Sequence, residues 1–136
     1  MITVLHNDAV MMQRTISYGL DPAIAAVKNS HPQFSFLQAM DVLRDRNYFY
    51  SETPTGEEQK VRDSLNGAIN GILRVLDYYN SHHEEPVERI HLTGIGGDCI
   101  GLADYLGGAL DVDTDVIEEL EGWKLRKFFT VIDWIS

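Results

Sequence analysis

One cysteine, four prolines and eleven basic residues are all that this chain of 136 residues holds of those kinds. The single thiol, Cys99, excludes an internal disulfide framework and any zinc site built on cysteines, and it fits a reducing compartment. Eleven Lys and Arg against twenty-one Asp and Glu leave a formal charge of −10. The average field therefore repels phosphate backbones and anionic lipid surfaces, and nucleic acid is not an expected partner. Long apolar runs are missing as well, each being broken within a few residues by Asp, Arg, Glu or Gly. The sequence predicts no transmembrane helix, no direct membrane insertion and no signal peptide. What is present is apolar mass: 44% hydrophobic and 10% aromatic residues suffice for a real core. The length allows one domain or a piece of a larger one, and disorder and collagen-like structure are excluded.

Two β-rich runs, from Ile2 to His6 and from Ala9 to Ser17, flank Asn7-Asp8 and predict a hairpin. Asp21-Pro22 reads as an N-cap and first-turn proline for a short helix that His31-Pro32 ends. A second helix starts near Ser35, with Phe36, Met40 and Leu43 on one stripe. With the aromatic loop Asn47 to Thr55, these form a helical insert over residues 20–55. From Glu57 to Asn80, Val61, Leu65, Ile69, Ile72, Leu76 and Tyr79 recur at intervals of three and four, which predicts one long amphipathic helix. Gly67 and Gly71 within it suggest a close approach by another element. Val87 to Thr93 then reads as a strand, Thr93-Gly94-Ile95-Gly96-Gly97 as a turn, Ile100 to Leu110 as a helix and Asp111 to Val116 as a strand. That order is a βαβ unit and implies a parallel pair. For the tail, Trp123 to Ile135, helix and strand fit equally well.

The glycine turn is where chemistry is most expected. A strand ending in glycines before a helix lets backbone N–H groups come close to a ligand, so it is a candidate nucleotide site beside the plainer reading of a tight connection. It starts like a dinucleotide fingerprint, but position 99 is Cys where a third glycine is required, and no Gly-x-x-x-x-Gly-Lys-Ser/Thr loop exists. His82-His83 with Glu84-Glu85 offers metal-type ligands, yet adjacent residues at a helix end diverge, so a solvated terminus is expected. His91 reads as a satisfied histidine within a strand, and Cys99 as a buried small side chain rather than a nucleophile. The acidic stretch Asp111, Asp113, Asp115, Glu118, Glu119 and Glu121 lacks the glycine and spacing of an EF-hand and reads as solvated edge charge. A small metal- or thiol-dependent enzyme resting on His82, His83 and Cys99 is the least supported class.

The run from Arg89 to Leu110 resembles the adenosine motif of actin-like ATPases, and in detail the PilM family of type IV pilus assembly proteins, which is related to the cell-division protein FtsA. Thr93, Gly94, Gly96, Gly101, Leu102, Ala103, Asp104, Tyr105 and Leu106 carry the likeness. Arg14, Ile16 and the Ser17 to Gly19 turn follow the family's order further upstream. The resemblance spans nearly the whole chain, and most closely Val61 to Val116. It implies an α/β fold: an actin-like (ribonuclease H-like) lobe, a mixed sheet packed with helices plus the small insert. It also implies that residues 1–136 are one domain and a fragment, the second of two lobes. The acidic strand and glycine turn that grip the phosphates would then precede Met1, and the first lobe, where a peptide of the membrane protein PilN docks in the family, would be absent.

The function so implied is a scaffold of pilus or secretion-system assembly, cytoplasmic and held at the inner membrane through pilus assembly partners. ATP would be its nucleotide, with Mg²⁺ only as the companion of ATP. The contacts would fall on Thr93, Gly94, Ile95, Gly96 and Asp98, with Met40 on the opposing wall. Catalysis by this chain is not expected, since no motif supplies metal ligands or phosphate clamps. Two positions depart from the family: β-branched Ile95 takes space from adenine and ribose, and Gln38-Ala39-Met40 with Leu43 replaces charged groups that face the nucleotide. The alternative is a nucleotide-free interaction module that binds a partner or a second copy, with Ile95, Met40 and Leu43 as an apolar patch.

Overall fold

The computed structural model describes residues 2–6, 9–15, 19–93, 99–116 and 130–133. Five strands, β1 (Ile2–His6), β2 (Ala9–Arg14), β3 (Arg89–Thr93), β4 (Asp113–Val116) and β5 (Thr130–Asp133), form a single mixed sheet in the order β2-β1-β5-β3-β4. The β1–β2 hairpin is antiparallel as expected, although its turn, Asn7-Asp8, lies outside the described residues together with Ile16 and Ser17. A bulge at Val4/Leu5 shifts the register, so that Val4 faces Met12 while Leu5 faces Val10. Met12 is the one buried residue of β2. β3 runs parallel to both β4 and β5, and β5 closes the sheet antiparallel to β1. The undecided tail thus contains a strand, and that strand is central. Ile90 and Leu92 of β3 alternate with His91, and all three are buried, as in a parallel strand covered on both faces.

Helix α1 (Asp21–Ser30) is capped by Leu20, whose carbonyl accepts from the Ala23 and Ile24 amides. Asp21 is therefore not the N-cap; it sits in the first turn, where its charge still favours the helix dipole. Helix α2 (Phe36–Asp45) starts at Ser35 with a complete capping box closed by Gln38. Its buried residues are Ala39 and Leu43, while Phe36 is exposed, so the apolar stripe is rotated from the one the spacing suggests. Tyr48 and Phe49 of the following loop are buried and Tyr50 is exposed.

The long helix is two helices, α3 (Gly56–Ser64) and α4 (Asn66–His82), with a second capping box at Thr55 and Glu58. At Leu65 the amide turns back to the Arg62 carbonyl in a tighter turn. The predicted stripe survives the break: Val61, Leu65, Ile69, Ile72, Leu76 and Tyr79 are all buried. Gly67 is exposed and Gly71 half-buried. The stripe, the sheet residues Ile2, Val4, Ile90 and Leu92, and Leu102, Leu106 and Leu110 of helix α5 (Leu102–Leu110) make one core. Each full burial of such a side chain is worth about 1.5–3 kcal/mol. Gly107 and Gly108 lie within α5, and the helix ends at Asp111, which has a left-handed φ of 54°.

Candidate functional site

The β3–α5–β4 unit has the predicted order and parallel pairing. Thr93 ends β3 in register with Asp133 of β5. Gly94, Ile95, Gly96 and Asp98 lie outside the described residues. Cys99 is buried and the Ile100 amide donates to the Arg44 carbonyl at the end of α2, 3.0 Å away. Met40, one turn earlier on α2, is half-buried against the core. The end of α2 and the segment from Cys99 are thus brought together. Leu43 is fully buried in the core, so it contributes nothing to an exposed apolar patch.

Gly101 explains why this junction needs glycine. Its φ is +80°, and a Cβ there would press into the Asn47 side-chain amide. That amide oxygen accepts from the Phe49 amide at 3.1 Å, and Phe49 stacks on Tyr105 of α5 with ring centroids 5.1 Å apart. Backbone and side chains therefore lock the insert to the start of α5.

A second cluster, with no spacing signal in the sequence, is centred on Glu57. Its carboxylate takes hydrogen bonds from His31 at 2.9 Å and from the Tyr48 hydroxyl at 3.0 Å, with Arg46 at 3.7 Å. Burial, and next the hydrogen bond to Glu57, push the Tyr48 phenol up to about 12. Arg62 completes the tie by donating to the carbonyls of Tyr48 and Ser51, each at 2.9 Å. One carboxylate thus joins α1, α2 and the aromatic loop to α3.

The remaining candidates fall where their plainer readings placed them. The His82 and His83 rings bond the Tyr78 and Tyr79 carbonyls one turn back, so they cap the end of α4. His91 pairs with Asp115 on β4, with Arg89 3.6 Å from the same carboxylate. Burial lowers the His91 pKa, against the opposing pull of Asp115. Asp113 and Asp115 lie on the outermost strand β4 as edge charge; Glu118, Glu119 and Glu121 are outside the described residues. No group of three or more His, Cys, Asp or Glu among the described residues could hold a metal ion, and no helix among them is long and apolar enough to cross a membrane.

No family model matches this chain, and no curated protein does. Among solved structures, it is similar to a chain of a PilM-PilN type IV pilus biogenesis complex, with a TM-score of 0.65 at 20% identity. The match covers 96% of this chain and 34% of that one, so this chain spans about a third of its length. At this identity the likeness is one of fold: a mixed α/β domain.

Proposed function

We propose that this chain is the second lobe of a PilM-like, actin-fold protein and serves as a scaffold in type IV pilus assembly. The observation carrying the proposal is the fold likeness over 96% of the chain to part of a chain from a pilus biogenesis complex. Supporting it locally, the β3–α5–β4 unit spans the residues from Arg89 to Val116 that hold the adenosine-type motif, and Gly101 has a backbone need for its motif residue. On this reading the protein works by holding partners at the inner membrane from the cytoplasmic side, and it is not an enzyme. If ATP binds with Mg²⁺, its contacts fall on Thr93, Gly94, Ile95, Gly96 and Asp98, with Met40 opposite.

The alternative form of this reading binds no nucleotide and uses the same lobe to hold a partner or a second copy. Deleting the gene in its host and imaging the cells tests the scaffold role: loss of pili, restored by the wild-type gene, is expected, and normal piliation overturns it. Titration calorimetry of the full-length protein with MgATP then separates the two forms. Micromolar affinity supports the nucleotide-bound scaffold, and no heat at millimolar ligand supports the nucleotide-free one.

A further inference from the structure

The two outer strands of the sheet differ in how they meet solvent. β4 carries Asp113 and Asp115, charges that discourage another strand from pairing there. β2, Ala-Val-Met-Met-Gln-Arg, has no carboxylate, and Val10 and Met11 are 58% and 44% exposed. Among the described residues β2 pairs only with β1, so one row of its backbone N–H and C=O groups has no strand partner among them.

Beside this strand, at its Ala9 end, lies a cavity of about 340 Å³ lined by His6, Met11, Tyr79, His83, Glu84 and Glu85. Its walls are apolar and aromatic: the Met11 thioether, and Tyr79 with His83 stacked on it at 4.0 Å. Its acid comes from Glu84 and Glu85, with Glu85 3.6 Å from His6. At the opposite end of β2, Arg14 lies over the half-exposed Tyr78 ring, 6.0 Å from its centroid. The strand's own cation is therefore engaged with Tyr78 and is not among the residues that line the cavity.

We infer that β2 and this cavity form a docking surface for an extended, basic peptide segment of a partner protein, which adds a strand to β2 and places an Arg or Lys side chain in the cavity. Main-chain hydrogen bonds supply the pairing, and alternate side chains supply the choice. A long basic side chain suits the cavity because its methylene stem covers Met11 and Tyr79 while its head meets Glu84 and Glu85. The overall charge of −10 steers the same class of partner toward this protein and opposes a second copy of it. The surface shares no residue with the adenosine-type motif and stands whether or not the scaffold reading holds.

Panning a phage-displayed library of random linear peptides against the full chain tests this, with the selected peptide then titrated by fluorescence anisotropy and NMR. Expected are binders with alternating β-branched residues and an Arg or Lys, shifting the amides of residues 9–14. Affinity should fall about five- to tenfold for Glu84→Gln and again for Glu85→Gln, and fall with added salt. Selection of binders without a basic residue, insensitivity to both substitutions, amide shifts confined to the β4 side, or no enrichment would each overturn the assignment. Concentration-dependent shifts of residues 9–14 without peptide would assign the edge to a second copy instead.

Discussion

Gly101 shows how a single position can be read from the sequence as a motif and explained only by the structure. The resemblance to the adenosine motif marks it, but does not say why alanine would fail. The reason is the positive φ together with the Asn47 amide filling the space of a Cβ. Gly101→Ala should destabilise the fold by about 2–3 kcal/mol, combining left-handed strain with a disturbed bond to the Phe49 amide. Urea denaturation measures this, and Asn47→Ala in the same background should recover part of the loss. His91 behaves differently, because its effect depends on pH. Burial holds its folded pKa below the unfolded value of about 6.5, so below that value the unfolded chain binds more protons. Its contribution is therefore full above pH 6.5 and declines as pH falls through the unfolded pKa toward the lowered folded one. The groups facing the ring, Asp115 across the ladder and Arg89 on its own strand, oppose each other in this shift. Stability measured between pH 7.5 and 5 should drop more steeply in the wild type than in His91→Asn.

At the level of elements, hydrophobic spacing proves a better guide to which face is buried than to where a helix stops. All six stripe residues from Val61 to Tyr79 are buried, although the element is broken at Leu65. The stripe is set by side chains that must leave water, whereas the break is a local backbone choice, and Asn66-Gly67 disfavours continuation only weakly. The rotated stripe of α2 has the same lesson in reverse: over ten residues, Phe36 and Ala39 compete for burial, and it is Ala39 that lies in the core. What joins these helices is polar and non-local, hence silent in the sequence. Glu57 accepts from His31 and Tyr48, which lie on segments joined to it only through the folded insert. Glu57→Ala removes a partly buried acceptor and leaves the Tyr48 hydroxyl without it, so a loss of about 2–3 kcal/mol is expected. Hydrogen exchange should locate that loss in α1, α2 and the loop 46–55, with α5 and β3 unchanged. Uniform acceleration across the chain would show instead that the insert unfolds only with the whole domain.

For the whole molecule, the decisive feature is that the middle strand of the sheet is the last in sequence. β5 holds three positions of β1 on one side and four of β3 on the other, so it alone connects the β1–β2 hairpin to the parallel pair β3–β4. Local pattern could not reveal this. Thr-Val-Ile-Asp suits strand or helix equally, and the partner that settles it, Ile2 to Val4, lies almost the whole chain away. Such pairing must close a very long loop before it gains anything, so the sheet is completed late in folding. Ending the chain at residue 129 removes β5 and leaves β1 and β3 with facing rows of unpaired backbone groups over the buried Ile2, Val4, Ile90 and Leu92. With three ladder positions lost on β1 and four on β3, at about 1–3 kcal/mol for each group left unpaired and kept from water, the loss is comparable to the whole stability of an ordinary domain, about 5–15 kcal/mol. The truncated chain should keep much of its helical far-ultraviolet signal, lose its near-ultraviolet signal and melt without a cooperative transition. A synthetic peptide of residues 124–136 added in trans should restore cooperativity in proportion to its concentration. A truncated chain that melts cooperatively within about 3 °C of the full chain would show that β5 does not join the halves of the sheet.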